Sequence, residues 1–131
     1  MKKYFVSYKN SIKLKELGFN EETFGFYNNG DPEVWIKHQI PPSIFKDYKG
    51  DIDAPTYFQS FNFIRENYNL DSFIRKSSKD EYQFEINYIP KSEDDENFKH
   101  FIDFGFKTEN DANSKCLDKL LEIINRLKPF I

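Results

Sequence analysis

One cysteine in 131 residues, Cys116, leaves no partner for an internal disulfide and no second sulfur for a multi-cysteine metal site. Histidine is nearly as scarce: His38 and His100 stand alone, neither with a second histidine at metal-ligand spacing. The five glycines are scattered, so there is no glycine-rich phosphate loop, and Gly-x-Ser-x-Gly does not occur. A surplus of positive charge is also missing. Nineteen basic residues against 22 acidic give a net charge of -3, whereas sequence-independent nucleic-acid binders draw most of their affinity from neutralising phosphates. No stretch approaches the ~18 consecutive apolar residues of a membrane helix. The opening Met1-Lys2-Lys3-Tyr4-Phe5-Val6-Ser7 breaks its apolar run too early for a secretory leader. A cytosolic location is expected.

What the sequence does have is aromatic. Leu, Ile, Val and Phe make up 37 of the 131 residues, above the roughly one-fifth below which chains tend to stay disordered. Phe alone outnumbers Leu by 15 to 7, there are two alanines, and eight Tyr and one Trp add to the rings. The length fits a single domain, 1–131. Lysine outnumbers arginine 16 to 3, a bias typical of AT-rich genomes.

Ser7 to Leu17 reads as a helix, with Ser7 as its cap and Gly18 at its left-handed end. Thr23 to Tyr27 alternates like a strand, with Phe24 and Phe26 expected on one face. Asn28-Asn29-Gly30-Asp31-Pro32 is turn chemistry, and Glu33 to Lys37 reads as the returning strand. His38 to Asp53 has no clean period and contains Pro41, Pro42 and Gly50, so it reads as a long loop. A helix is expected from Pro55, with Tyr57, Phe61, Ile64 and Tyr68 as its apolar stripe and Phe63 off that face. Three strands should follow: a short one at Ser72 to Arg75, the strongly alternating Glu81 to Ile89, and one in which Ile102, Phe104 and Phe106 share a face. Lys91 to Asn97 reads as an acidic loop. Thr108 caps a last helix, expected to end at Pro129, whose apolar residues cover half its circumference. The fold class is α+β: a helix and hairpin, then a helix, a three-stranded antiparallel meander and a C-terminal helix on the sheet.

Each candidate for chemistry has a plain alternative. Cys116 and His100 make an imaginable nucleophile and base, but Cys116 falls on the inward side of the last helix, where cysteine acts as a small hydrophobe. Glu93-Asp94-Asp95-Glu96 lacks the spacing of a calcium loop and reads as solvated. Asp51 and Asp53, just before Pro55, read as a helix cap rather than a metal pair. No cofactor, metal or catalytic set is therefore expected, and a non-enzymatic role follows. Pro55 to Lys128 has the element order of the double-stranded RNA-binding domain, but Thr108-Glu109-Asn110-Asp111 would repel phosphate where that fold is basic. The alternation assigns Phe24, Phe26, Tyr57, Phe61, Tyr68, Tyr82, Phe84, Tyr88, Phe104 and Phe106 to interior faces. Among the rings it does not place are Tyr27, Trp35, Phe45, Tyr48, Phe63 and Phe73. Either the 38–53 loop folds back to bury Trp35, or these rings form a contact surface of the kind Trp and Tyr often supply.

Several segments together resemble a known group. Lys3-Tyr4-Phe5-Val6-Ser7-Tyr8, Leu14 to Glu21 and Phe24-Gly25-Phe26-Tyr27 look like the opening of uncharacterised small proteins encoded by Bacteroidetes phages and prophages. Ala54-Pro55-Thr56-Tyr57, Phe61 to Tyr68, and Ala112 to Ile124 with its Cys116-Leu117-x-Lys119-Leu120 pattern continue the likeness. A cysteine usual in that group near Gly25 is Thr23 here. The resemblance implies a phage accessory protein that binds a host protein or ribonucleoprotein complex, a CRISPR effector or other defence nuclease being one such target. Tyr27, Trp35, Phe45, Tyr48 and Phe63 are the expected contact residues. Two alternatives stand beside this: an RNA- or DNA-binding module using a local basic patch at Arg75, Lys76 and Lys79, and a small-molecule-sequestering protein or enzyme using the 38–53 loop.

Overall fold

The computed structural model describes residues 2–28, 31–39, 51–89 and 100–127. Its elements are α1 (Tyr8–Glu16), β1 (Gly25–Tyr27), β2 (Val34–Ile36), β3 (Ile52–Ala54), α2 (Tyr57–Tyr68), β4 (Leu70–Ser78), β5 (Glu81–Tyr88), β6 (His100–Phe106) and α3 (Glu109–Leu127), with 3-10 turns at Lys2–Tyr4 and Lys37–Gln39. Helices and antiparallel strands make the α+β class expected. The internal contacts group into two compact units, Met1–Ser60 and Phe61–Ile131, with the division falling inside α2.

In the first unit, the α1 ends follow from local chemistry. The Ser7 side chain accepts from the Asn10 amide at 3.3 Å. At the other end Gly18 takes φ +102, and the Gly18 and Phe19 amides donate to the Lys15 and Leu14 carbonyls, each at 3.0 Å. Those are the paired bonds of a Schellman motif, completed by two buried side chains, Leu14 and Phe19. The sheet runs β2-β1-β3, all antiparallel. Its third strand is a correction: Ile52–Ala54 takes in the last two residues of the expected 38–53 loop, and Asp53 is a strand residue rather than a helix cap. The cap of α2 is Thr56, whose hydroxyl accepts from the Gln59 amide (3.2 Å) while the Gln59 side chain accepts from the Thr56 amide (3.1 Å). This is a reciprocal capping box. Phe5, Tyr27, Val34, Ile36 and Ala54 form the core of this unit, with Tyr8 and Ile52 packed against it. Phe24 precedes β1 and is 69% exposed, so it does not share the interior side of Phe26.

In the second unit, β4, β5 and β6 form an antiparallel meander, with α3 against all three strands. β4 is longer than expected, nine residues from Leu70. Asn69 makes the sharp turn out of α2 at φ 56. Thr108 caps α3 as expected, its hydroxyl accepting from the Asp111 amide at 3.0 Å. Buried along α3 are Ala112, Cys116, Leu117, Leu120, Leu121, Ile123 and Ile124. The wide apolar arc of the helix thus faces the interior. The expected end at Pro129 lies outside the described residues.

β6 departs from simple alternation. Tyr82 pairs with Phe106 but the next β5 residue, Gln83, pairs with Phe104. Gly105 is the extra residue, at φ +93, a conformation open to glycine. This bulge reverses the parity of the strand. Phe101 and Phe106 turn inward and stack on Phe84 with ring centroids 5.9 and 5.6 Å away. Ile102 and Phe104 turn outward, 42% and 69% exposed, against the expectation that they would share a face with Phe106.

Candidate functional site

Of the five residues singled out from the sequence, two are interior. Tyr27 is 4% exposed, its hydroxyl donating to the Val6 carbonyl and its ring meeting Tyr8 edge-on at 5.4 Å. Burial, with a smaller push from Tyr57, raises its phenol to about 12. Phe63 is 7% exposed and packs edge-on against Tyr68. The reason is a rotated stripe on α2. Ser60, fully buried, returns its hydroxyl to the Tyr57 carbonyl at 2.9 Å. A buried serine thus continues the interior face towards Phe63, where an apolar count sees a gap. Trp35 is half-buried, tilted against Phe26 at 6.2 Å, with its indole N–H donating to Asp31 at 3.4 Å. Phe45 and Tyr48 lie outside the described residues, as does the Glu93–Glu96 run. Tyr27 and Phe63 are thus interior side chains rather than the exposed contact residues expected of them.

The Cys116–His100 pair is also separated. Cys116 is fully buried on α3, and burial pushes its thiol up to about 12, with the Ser72 hydroxyl pulling it partly back. His100 belongs to the opposite, solvent-facing side of the sheet, where its Nδ1 meets the Asn87 side-chain oxygen. An amide orients the ring there, and an amide neither takes nor supplies a proton. Among the described residues, no group of three or more His, Cys, Asp or Glu is placed to hold a metal ion. No described helix is long and apolar enough to cross a membrane.

The feature that remains is that outer face. With α3 on the inner side, strand register lays nine residues out in three rows: Asp71–Asn87–His100, Phe73–Glu85–Ile102 and Arg75–Gln83–Phe104. The polar members are tied to one another. Arg75 reaches Glu85 at 3.4 Å and lies over the Phe73 ring, 4.9 Å from its centroid. Gln83 donates to Glu85 at 3.0 Å, and Asp71 is held by Arg65 from α2 at 2.7 Å. The Glu85 side chain is only 14% exposed, so its bond to Arg75 is partly screened from water, whereas Arg75 itself is 55% exposed. The apolar members on the β6 side are uncovered: Ile102 and Phe104, two residues apart on one face of the strand just before the bulge. Such a face offers a flat ring, an aliphatic side chain and a stacked guanidinium.

Sequence reasoning missed this surface because period-two alternation assigned Phe104 to the core. The available signal was Gly105, an isolated glycine within a strand pattern, which marks a bulge. A second set of exposed rings lies in the first unit: Tyr4, Phe24 and Phe58, 58%, 69% and 75% exposed. Tyr4 and Phe24 adjoin the segments paired to Thr56 and Ala54, just before α2. No protein family, curated protein or solved structure matches the chain.

Proposed function

We propose that the protein is a non-enzymatic binding protein whose working surface is the outer face of the β4–β5–β6 sheet. The observation that carries this reading is Phe104, 69% exposed beside Ile102 on a sheet whose other face is already occupied by α3. A lone exposed apolar residue is ordinary, but neighbouring ones on a strand whose sheet also carries a guanidinium–phenyl stack on the same face fit a contact surface. The bound species in this reading is a host macromolecule, a protein or ribonucleoprotein. That the protein is a phage or prophage accessory factor acting on a defence nuclease is supported by the sequence resemblance alone, and no residue of the sheet face favours it over other targets.

The test is affinity purification of the tagged protein from its native host, in parallel with Phe104→Ser. The wild type should retain a stoichiometric macromolecule that the variant loses while keeping its thermal unfolding transition. Recovery of the bare protein in both preparations would end this reading.

A further inference from the structure

The β4–β5–β6 sheet has two edges, and they are unequal. The exposed end of β4 carries Arg75 and Lys76, and charged side chains of this kind keep a strand edge from pairing with another chain. β6, the other edge, has no lysine or arginine, and Asp103 is its one carboxylate. Five of its seven residues are exposed. Among the described residues β6 pairs with β5 alone. An open edge that carries Ile102 and Phe104 exposed on one face is a template for one more strand.

The bulge at Gly105 limits how that strand can be added. It ends the regular edge and leaves His100 to Phe104, about 17 Å of strand, as the straight part. A second copy supplies the same stretch, and antiparallel self-pairing of it centres on Ile102. Ile102 then lies opposite its own image, Phe104 opposite the other copy's His100, and Asp103 opposite the other copy's Phe101. Charge fits at that last position. Lys119 of α3 holds its Nζ 4.4 Å from the centre of the Phe101 ring. Asp103 lies on the same side of the sheet, since its register partner is the inward Phe84. In one copy its carboxylate accepts from the Phe104 amide at 2.9 Å and makes no ion pair among the described residues. Pairing about Ile102 brings each Asp103 beside the other copy's Lys119, twice by symmetry. The alternative, centred on Asp103, sets two carboxylates directly opposite each other, which is destabilising, and runs into the bulge.

We infer that β6 pairs with β6 of a second copy, antiparallel about Ile102, with Asp103–Lys119 ion pairs between the copies on the α3 side. The product is a six-stranded sheet, and because α3 lies mainly over β4 and β5, the joint falls between the two helices. The outer faces become continuous. One face, three strands about 4.8 Å apart and three rows of side chains, spans about 300 Å². That is well short of the about 800 Å² each partner buries in a stable complex, and the pair presents about twice as much. With so few residues paired, the dimer belongs with the weak interfaces that bury less than about 1,200 Å² in all. It does not depend on which host macromolecule the outer face binds.

The test is sedimentation velocity of the full chain from about 5 to about 500 μM, a range suited to a weak interface. The sedimentation coefficient should climb from monomer towards dimer across that range. Asp103→Lys and Lys119→Asp should each weaken association roughly tenfold, and the double variant should recover it, all three keeping the wild-type unfolding transition. Ile102→Cys, on the two-fold axis, should form a disulfide between copies under mild oxidation, because opposed strand residues lie about 4.5–5.5 Å apart. Phe104→Cys, well off the axis, should not. A monomer at every concentration, or association that charge reversal leaves unchanged, would overturn the inference. If that monomer still retains its host macromolecule and loses it in Phe104→Ser, the pairing falls and the surface reading survives.

Discussion

Phe104 and Phe106 sit two residues apart on one strand, and simple alternation makes them equivalent. The bulge at Gly105 makes them opposite. Phe106 stacks on Phe84, which is 1% exposed, at a centroid distance of 5.6 Å, whereas Phe104 is 69% exposed. Replacing a fully buried Phe by Ala costs about 3–5 kcal/mol through lost transfer energy and the cavity left behind. Phe84→Ala should fall in that range. Phe106 is partly exposed, so its removal should cost about 2 kcal/mol. Phe104→Ala should cost no more than about 0.5 kcal/mol, the usual range for a surface site. Urea unfolding followed by circular dichroism reads this directly. With a slope of about 2 kcal/mol/M, Phe106→Ala should lower the midpoint by about 1 M and Phe104→Ala by less than about 0.3 M. Equal losses, or a larger loss for Phe104→Ala, would refute the assignment of faces and with it the exposed surface.

Substitutions at Gly25 and Gly105 should fail for different reasons. A Cβ on Gly25 would lie 2.8 Å from Phe5 Cε1 and 3.0 Å from Val34 Cγ2, both in the core, so Gly25→Ala should cost about 1–3 kcal/mol by overpacking. At Gly105 nothing lies within 4 Å, so Gly105→Ala should cost about 1–2 kcal/mol from backbone strain alone, and Gly105→Asn less. Urea midpoints compare the three variants. Thr56→Ala removes half of the capping box and should cost about 1 kcal/mol by the same measurement. The folded state holds the Cys116 proton to about 12, against 9.0 for an unperturbed thiol, and that of Tyr27 to about 12, against 10.0. Both groups thus contribute stability that is complete below about pH 9 and is lost as the pH rises towards 12. Alkaline titration of the urea midpoint should show that fall, and Cys116 should resist a thiol reagent at pH 8 until the protein unfolds.

Local signals carried much of the fold. Ser7 and Gly18 mark the ends of α1, Thr108 begins α3, and the alternation of Tyr82, Phe84, Ile86 and Tyr88 defines β5, all from residues within a few positions of each other. What stayed hidden depends on distant partners or on a single backbone angle. β3 has only three residues and is specified by pairing with β1 across the chain, which no window around Ile52 contains. The buried face of α2 passes through Ser60, a small polar residue satisfied by its own helix, so an apolar count turns the stripe away from Phe63. The exposure of individual rings was hidden for the same kind of reason. One glycine at φ +93 shifts Phe104 from core to solvent, and Tyr27, read as a free ring, is consumed by a hydrogen bond to Val6.

The central claim is that the outer face at Phe104 is where this protein meets its partner. A photocrosslinking phenylalanine analogue placed at position 104, and separately at the exposed Lys115 on α3, tests it in the native host. The account predicts one defined adduct from position 104, sensitive to nuclease or to protease according to its class, and none from position 115. Adducts from position 115 alone, or from neither site, would contradict it.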